Sequence, residues 1–443
     1  MNKLDSELVL ERLIDAGYEE ARDESEADVI LFNTCSVRRH AEDRVYSRIG
    51  ALRRMKARRP SLIIGVLGCM AQSEGRALIE RSSVVDLICS PNRLKELPLL
   101  LQRVNGGEPM VATDSGRSAS RGAVSIGPDR KGRARSAPWH AYVAVMTGCD
   151  NFCSYCVVPR LRGEEISRPP AEIVDEVRRL ADDGCKEVTL LGQNVNSYGA
   201  GLTPRVTLAD LLAMLNPVAG LERISFITSH PKDFTRELLT AVASLPKVCE
   251  YLHVPPQSGS DRILKLMNRG YTAAHYRELV AMAREIVPEV ELAGDFIVGF
   301  PTETEDDFAQ TLALLNDAEF INCFVFKYSP RPGTTADKRL ADTIPDEVKQ
   351  RRNVELLAVQ ERISDELNRA FLGREVTVLV EGLSKKAHVN PADSDSHPQL
   401  VARTSTDHIV VFHGPVSLTG RFAQVRITRT APLTLFGERR ERG

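Results

Sequence analysis

Six times between His140 and Pro330 the sequence passes from a short apolar run into a helical stretch. The runs read HAYVAVMTG, EVTLLGQN, RISFITSH, EYLHVPPQSG, ELAGDFIVGF and NCFVFKYSP. Stretches such as PAEIVDEVRRLADDG and TAAHYRELVAMAREIV separate them. Neighbouring parallel strands need a crossover of a dozen or more residues, usually a helix. Six such units predict a parallel sheet curled into a partial (β/α)6 barrel, with its site at the C-terminal strand ends. A polar helix, PDEVKQRRNVELLAVQERISDELNRAFLG, leads out of it.

The first strand runs straight into GCDNFCSYCVVPRLRGEEISRPP, from Gly148 to Pro170. This loop carries Cys149, Cys153 and Cys156, so it opens onto the expected active face. Structural zinc takes four protein ligands, typically as two close pairs. No second pair follows, and the nearest histidine, His140, lies at the far end of the preceding strand. A cubic iron–sulfur cluster has four irons and is usually held by four cysteines. Three cysteines leave one iron open to a small molecule.

The flanking segments are of different kinds. Up to about Met110, helical patterns alternate with the apolar runs DVILFNTC, SLIIGVLGC and VDLIC, as in a small doubly wound α/β domain. Cys35 and Cys69 fall where two of those strands end. Residues 113–137 are rich in Gly, Ser and Arg and read as a linker. From Phe371 to Glu438, five short alternating segments predict a small OB-like β-barrel, a kind that often binds oligonucleotides. The expected domains are thus 1–112, 113–137, 138–370 and 371–438.

Nine cysteines and no secretory leader predict reduced thiols or metal ligands in a cytoplasmic protein. No apolar run is long enough for a membrane span. The net charge of −2 hides local bias, since residues 38–59 hold nine Lys/Arg against two acids. Such runs are usually solvated faces, and here they are a weak hint of a polyanionic partner.

The three-cysteine loop at the mouth of a partial barrel resembles the radical S-adenosylmethionine superfamily. There the open iron is chelated by the amino and carboxylate groups of the cofactor, whose reductive cleavage yields a 5′-deoxyadenosyl radical. Further stretches narrow the resemblance: NTCSVR (Asn33–Arg38), GCMAQ (Gly68–Gln72), LGQNVNSYG (Leu191–Gly199), QSGS (Gln257–Ser260), DFIVGFPTET (Asp295–Thr304) and FKYSPRPGT (Phe326–Thr334). Together they are similar to the tRNA methylthiotransferase family over almost the whole chain, including a C-terminal TRAM domain. NTCSVR and FKYSPRPGT are most similar to the MiaB-type branch, which converts N6-(dimethylallyl)adenosine at tRNA position 37 to its 2-methylthio derivative. A branch acting on threonylcarbamoyl-adenosine, and a non-catalytic iron–sulfur RNA-binding protein, are the alternatives.

The resemblance implies two [4Fe–4S] clusters. Cys149, Cys153 and Cys156 would hold the first with S-adenosylmethionine, and Cys35 and Cys69 would ligate an auxiliary cluster. It also implies tRNA as partner, an electron donor such as flavodoxin or ferredoxin, and neither membrane nor DNA binding. Gln193, Ser229, Gln257, Ser258, Asp295 and Gly299, at or near strand ends, are candidates for the cofactor cleft. Lys327 and Arg331 are candidates for tRNA phosphate or the base. Phe152 and Tyr155 would shield the cluster or touch adenine. Arg403, Arg421, Arg426 and Arg429 are expected to face tRNA from the TRAM domain. Cys89, Cys185, Cys249 and Cys323 read as core thiols. Family members normally open with a strand ending in a GCQMN-type turn, and this sequence matches that motif only from its methionine. The expectation is a native start about 5–15 residues upstream, roughly one strand and a turn.

Overall fold

The computed structural model describes residues 1–34, 39–104, 108–114, 132, 134–135, 137–385 and 397–440, with side chains in the second stretch from residue 42. Cys35 and most of the expected linker lie outside the described residues.

The N-terminal unit runs α1 Asn2–Asp15, β1 Val29–Thr34, α2 Arg39–Arg58, β2 Ile63–Gly68, α3 Cys69–Glu74, α4 Arg76–Arg81, β3 Leu87–Cys89, α5 Leu97–Val104 and β4 Met110–Ala112. Its strands form one parallel sheet in the order β1-β2-β3-β4. Unbroken apolar strands are explained by burial on both faces. Ile63 and Leu67 pack with Val9, Leu13, Leu97 and Leu101 on one side. Ile64 and Val66 pack with Ile49 and Leu52 on the other. Side chains of a strand alternate faces, so each residue pair serves a different helix layer.

The central unit contains β5 His140–Ala144, a small hairpin of β6 Met146–Thr147 and β7 Ile166–Ser167 around α6 Val158–Leu161, then α7 Pro170–Asp182, β8 Glu187–Leu191, α8 Leu208–Leu215, β9 Arg223–Ile227, α9 Arg236–Ser244, β10 Tyr251–His253, α10 Asp261–Leu266, α11 Ala273–Ile286, β11 Glu291–Val298, α12 Glu305–Ala318, β12 Asn322–Lys327, α13 Thr335–Arg339 and α14 Asp346–Arg369. All six expected strands form and run parallel. Their ladder is divided into two three-stranded sheets, β5-β8-β9 and β10-β11-β12. The seam between β9 and β10 is held by backbone bonds from Ile224 to Lys247 (2.7 Å), Cys249 to Ile224 (2.8 Å) and Ser229 to His253 (3.4 Å).

One large core lies between these strands and their helices, and includes Ala141, Val143, Val188, Leu190, Ile224 and Phe226. Their alternates Tyr142, Ala144, Leu191 and Ile227 face inward, where Met1, Leu4 and Leu8 pack against them. The start of α1 therefore roofs part of the barrel mouth. This joins the N-terminal sheet to the active face.

The C-terminal unit is a closed five-stranded barrel of β13 Glu375–Leu383, β14 Gln399–Arg403, β15 Ile409–His413, β16 Phe422–Ala431 and β17 Thr434–Arg439, in the order β13-β14-β15-β17-β16. It docks under the large barrel, at the N-terminal ends of the strands. Arg223, at the start of β9, donates to the carbonyls of Arg403 (2.9 Å) and Thr377 (3.1 Å) and lies over the Phe422 ring. Arg403, a candidate for tRNA, pairs with Glu381 (3.1 Å) and Asp407 (2.8 Å) beside this seam, with its side chain still 37% exposed.

Glu187 is half-buried at the same seam, and that burial pushes its carboxyl up to about 7 despite the nearby Arg223. Its ordinary value is 4.5. Across that window the folded chain holds the proton more tightly than the unfolded chain, so stability falls as pH rises through it. Glu187→Gln mimics the protonated form. It is expected to match the parent near pH 4.5 and to be more stable at pH 8, by roughly 1–3 kcal/mol. Thermal melts at the two pH values check this.

Candidate metal and cofactor site

The hairpin of β6 and β7 clamps both ends of the cysteine loop through the pairing of Met146 with Ser167. Gly148 opens the loop at φ +78°, where a Cβ would sit 1.8 Å from the Glu164 carbonyl oxygen. No other residue fits there. The loop is then tied down from the far side of the barrel. Ser154 N–H donates to Met267 O (2.8 Å), Asn268 to Phe152 O (3.0 Å), and Ala336 N–H to Ser154 O (2.7 Å). Three thiols are thus fixed by segments distant in sequence.

Cys149 is buried, and Cys153 and Cys156 are half-buried. The Cys156 sulfur accepts from Val158 N–H (3.5 Å) and the Cys153 sulfur from Arg269 Nη1 (3.4 Å). Burial first, and then the neighbouring Cys153, push the Cys156 thiol up to about 12; Cys149 is raised for the same reasons. Such thiols ionise when a cation replaces their protons, which is what iron does. Among the described residues, no three Cys, His, Asp or Glu side chains gather around one point as a single ion requires. A cubic cluster takes its thiolates at different irons and makes no such demand. The donor set therefore fits a cluster better than a lone zinc.

Cys69 begins α3 where β2 ends, and Gly68 before it pairs with Thr34 at the end of β1. It packs against Val157 and Leu161, which directly follow the cysteine loop. Arg162 lies beside it, buried and paired with Asp5 of α1 at 2.5 Å. Burial works against that guanidinium, but Asp5 and the Cys69 thiol hold it above the ordinary arginine range. One arginine thus bridges the first helix, the candidate auxiliary ligand and the cysteine loop.

The candidate cleft residues divide into two kinds. Gln193 Oε1 and Ser229 Oγ, two residues beyond β8 and β9, are buried without a hydrogen-bond partner, as are Asn194 Oδ1 and His230 Nε2 beside them. An unpaired buried polar atom costs about 1–3 kcal/mol. Four together at adjacent strand ends fit a polar ligand. Asp295 lies deeper, 3.4 Å from His253 Nε2. Gln257 takes a left-handed backbone, φ 68°, bonding Asp295 O and Ile297 N–H across the wall. Ser258 and Gly299 are committed to the wall itself. The Ser258 hydroxyl faces Thr311 on α12 at 3.3 Å, and a Cβ on Gly299 would lie 2.3 Å from Lys349 Cγ.

Comparison with known proteins places these features. Residues 143–315 match the radical SAM superfamily, residues 1–90 the uncharacterized protein family UPF0004, and residues 369–439 the TRAM domain. The chain is 45% identical to the tRNA-2-methylthio-N(6)-dimethylallyladenosine synthase of Rhodopirellula baltica, over 99% of this chain and 93% of that one. It is 46% identical to the protein of the same name from Moorella thermoacetica, over 99% and 96%. The chain belongs to the tRNA-2-methylthio-N(6)-dimethylallyladenosine synthase family. Among solved structures, the radical S-adenosylmethionine methyltransferase TsrM from Kitasatospora setae shares the fold, with TM-score 0.54, 17% identity and coverage of 76% of this chain and 70% of that one.

In this synthase-family chain, Lys327 and Arg331 are engaged within the protein. Lys327 lies 3.1 Å from Asp346, and Arg331 reaches Glu42 on α2 at 3.2 Å. Arg331 thus ties the barrel to the N-terminal unit. Phe152 is half exposed at the rim, whereas Tyr155 is drawn in toward Arg269. Arg269, Arg162 and His230 carry no signal in the sequence that marks them as site residues. The run MNRGYT, which holds Arg269, reads only as a turn between helices.

Proposed function

We propose that this chain converts N6-(dimethylallyl)adenosine at position 37 of tRNA to its 2-methylthio derivative. It would use S-adenosylmethionine and two [4Fe–4S] clusters, one at Cys149, Cys153 and Cys156 and one at Cys69 with Cys35. The observation that carries this is a three-thiol loop beside four unpartnered buried polar atoms at the barrel mouth. The bound groups supply a methyl for the inserted sulfur and the one-electron chemistry that removes hydrogen from adenine C2, a C–H too weakly acidic for any general base. The protein binds, orients and excludes water.

Gln193 and Ser229 would meet polar groups of S-adenosylmethionine, satisfying atoms that are otherwise orphaned. Val157 and Leu161 pack against Cys69, so the segment that follows the three-cysteine loop would hold the two thiol sites close to each other. The buried Asp5–Arg162 pair would hold that spacing. Electrons would come from a flavodoxin- or ferredoxin-type donor. No helix among the described residues is long and apolar enough to cross a membrane. The deciding experiment is mass spectrometry of tRNA nucleosides from a strain lacking this gene, with and without complementation. Unchanged 2-methylthio-N6-(dimethylallyl)adenosine in the deletion strain overturns the assignment.

The TRAM barrel would hold tRNA through Arg421 and Arg426, both exposed on or beside β16. Removing one arginine–phosphate pairing flattens the slope of log affinity against log salt by roughly 0.7–0.9. Alanine at both positions is expected to weaken tRNA binding at low salt and to flatten that slope by about 1–2. Filter binding across a salt series measures both. S-adenosylmethionine cleavage without tRNA should be unaffected.

A further inference from the structure

We propose that Arg269 is the fixed counter-cation of the three-cysteine site and sets how readily a cluster held there accepts an electron. The proposal rests on the reading of Cys149, Cys153 and Cys156 as cluster ligands. Its basis is an internal comparison of buried arginines.

Five described arginines are more than nine-tenths buried as whole residues: Arg162, Arg168, Arg223, Arg269 and Arg352. Removing a guanidinium from water costs several kcal/mol unless an anion compensates it. Three of the five follow that rule closely, with a carboxylate oxygen at 2.5 Å (Asp5 to Arg162), 2.8 Å (Glu176 to Arg168) and 2.7 Å (Glu303 to Arg352), while Arg223 has two backbone carbonyls at 2.9 and 3.1 Å and Glu187 farther off at 3.9 Å. Arg269 is the exception. Its partners are the Cys153 sulfur (3.4 Å), the hydroxyls of Tyr155 (3.4 Å) and Tyr271 (3.1 Å), and the Pro255 carbonyl (3.0 Å). It also stands over the Tyr271 ring at 5.3 Å. Among the described residues no carboxylate balances it. The one contact that can carry negative charge at neutral pH is Cys153, and it does so when ligating iron.

The surroundings are built to hold the guanidinium still. Tyr271 is itself fixed by donating to Pro256 O at 2.7 Å. His230, edge-on to Tyr271 at 5.6 Å, is kept neutral by burial and by the Arg269 charge, its pKa lowered to about 2. No competing anion is offered. A fixed cation donating to a ligating sulfur stabilises the more negative, reduced form of a cluster, and so raises its reduction potential. Arg269 is thus a positioning and tuning residue; it needs no contact with substrate.

The test is a potentiometric titration of the full chain reconstituted with iron and sulfide. Dithionite delivers one electron to the cluster, and electron paramagnetic resonance reads the reduced fraction. A Cys69→Ala background removes the second site's contribution. Arg269→Gln and Arg269→Met are expected to keep the parent's iron content yet show at least a tenfold lower ratio of reduced to oxidised cluster at a fixed potential, about 59 mV for a one-electron couple. Arg269→Lys keeps the charge and should stay close to the parent. Tyr271→Phe, which removes a partner without removing charge, should also leave the potential in place. An unchanged potential in the neutral variants overturns the proposal, as does a tenfold fall in the Lys or Phe variant. If the neutral variants do not fold, the Lys variant decides by the same criterion. Absence of iron from the parent would instead defeat the assignment of the three cysteines.

Discussion

Cys153→Ala is expected to abolish S-adenosylmethionine cleavage, with 5′-deoxyadenosine at background and the iron of the first site lost. Each iron of a cubic cluster needs one ligand besides its sulfides, and the loop offers three thiols with none to spare. The groups bonded to the sulfurs cannot stand in for one. Val158 N–H and Arg269 are donors, and a donor cannot ligate iron. The hydrogen bonds that tie the loop to Met267, the Asn268 side chain and Ala336 do not involve the sulfur, so the fold should survive. Iron analysis, visible absorption and a 5′-deoxyadenosine assay on the anaerobically reconstituted variant measure the effect. Parent-level cleavage with full iron would end the assignment. The same outcome is expected for Cys149 and Cys156.

Arg352→Met is expected to be the most destabilising single change outside the cysteine loop. Arg352 on α14 donates to Glu303 and Glu305, each at 2.7 Å, and its pair with Glu303 is almost completely buried. Glu303 in turn accepts from Gly299 N–H at 2.6 Å, closing the turn that follows β11. Burial pushes the Glu303 carboxyl up to about 6 even with Gly299 and Arg352 opposing it. Methionine fills the same space but leaves that carboxylate alone. Breaking a buried pair on one side costs about 3–5 kcal/mol. For a unit of this size that is on the order of 10 °C in melting temperature. Without Arg352 the carboxyl is harder still to ionise, so the loss should deepen as pH rises from 6 to 8. Calorimetry at both pH values is the check. Glu303→Gln in the same chain should recover part of the loss at pH 8, since it removes the orphaned charge.

The DFIVGFPTET stretch shows what a sequence reading missed. Asp295 and Gly299 stood out as cleft candidates by their places in and after a strand. The residue with the most buried charge in that stretch is Glu303, whose partner lies on a helix 49 residues away. Ser258 has the same history: a hydroxyl at a strand end turns outward because Thr311 of α12 is there to meet it. The division of the ladder between β9 and β10 carries no mark in the sequence.

Much of the architecture was nonetheless legible. Apolar runs separated by helix-length stretches, and short alternating segments, are patterns among neighbours in sequence, so six parallel strands and five small-barrel strands could be counted from the chain alone. The loop after β6 stood out as a candidate metal site because Cys149, Cys153 and Cys156 lie within eight residues of one another. Tertiary structure alone decided how buried charge is compensated. Arg162 meets Asp5 across 157 positions, Arg269 meets Cys153 across 116, and Arg352 meets Glu303 across 49. Hydrophobic periodicity follows from local backbone geometry and survives in the sequence as a pattern. An ion's partner is set by whichever group is nearest after folding, in a medium where each unpaired charge costs several kcal/mol, and sequence spacing carries no trace of that distance.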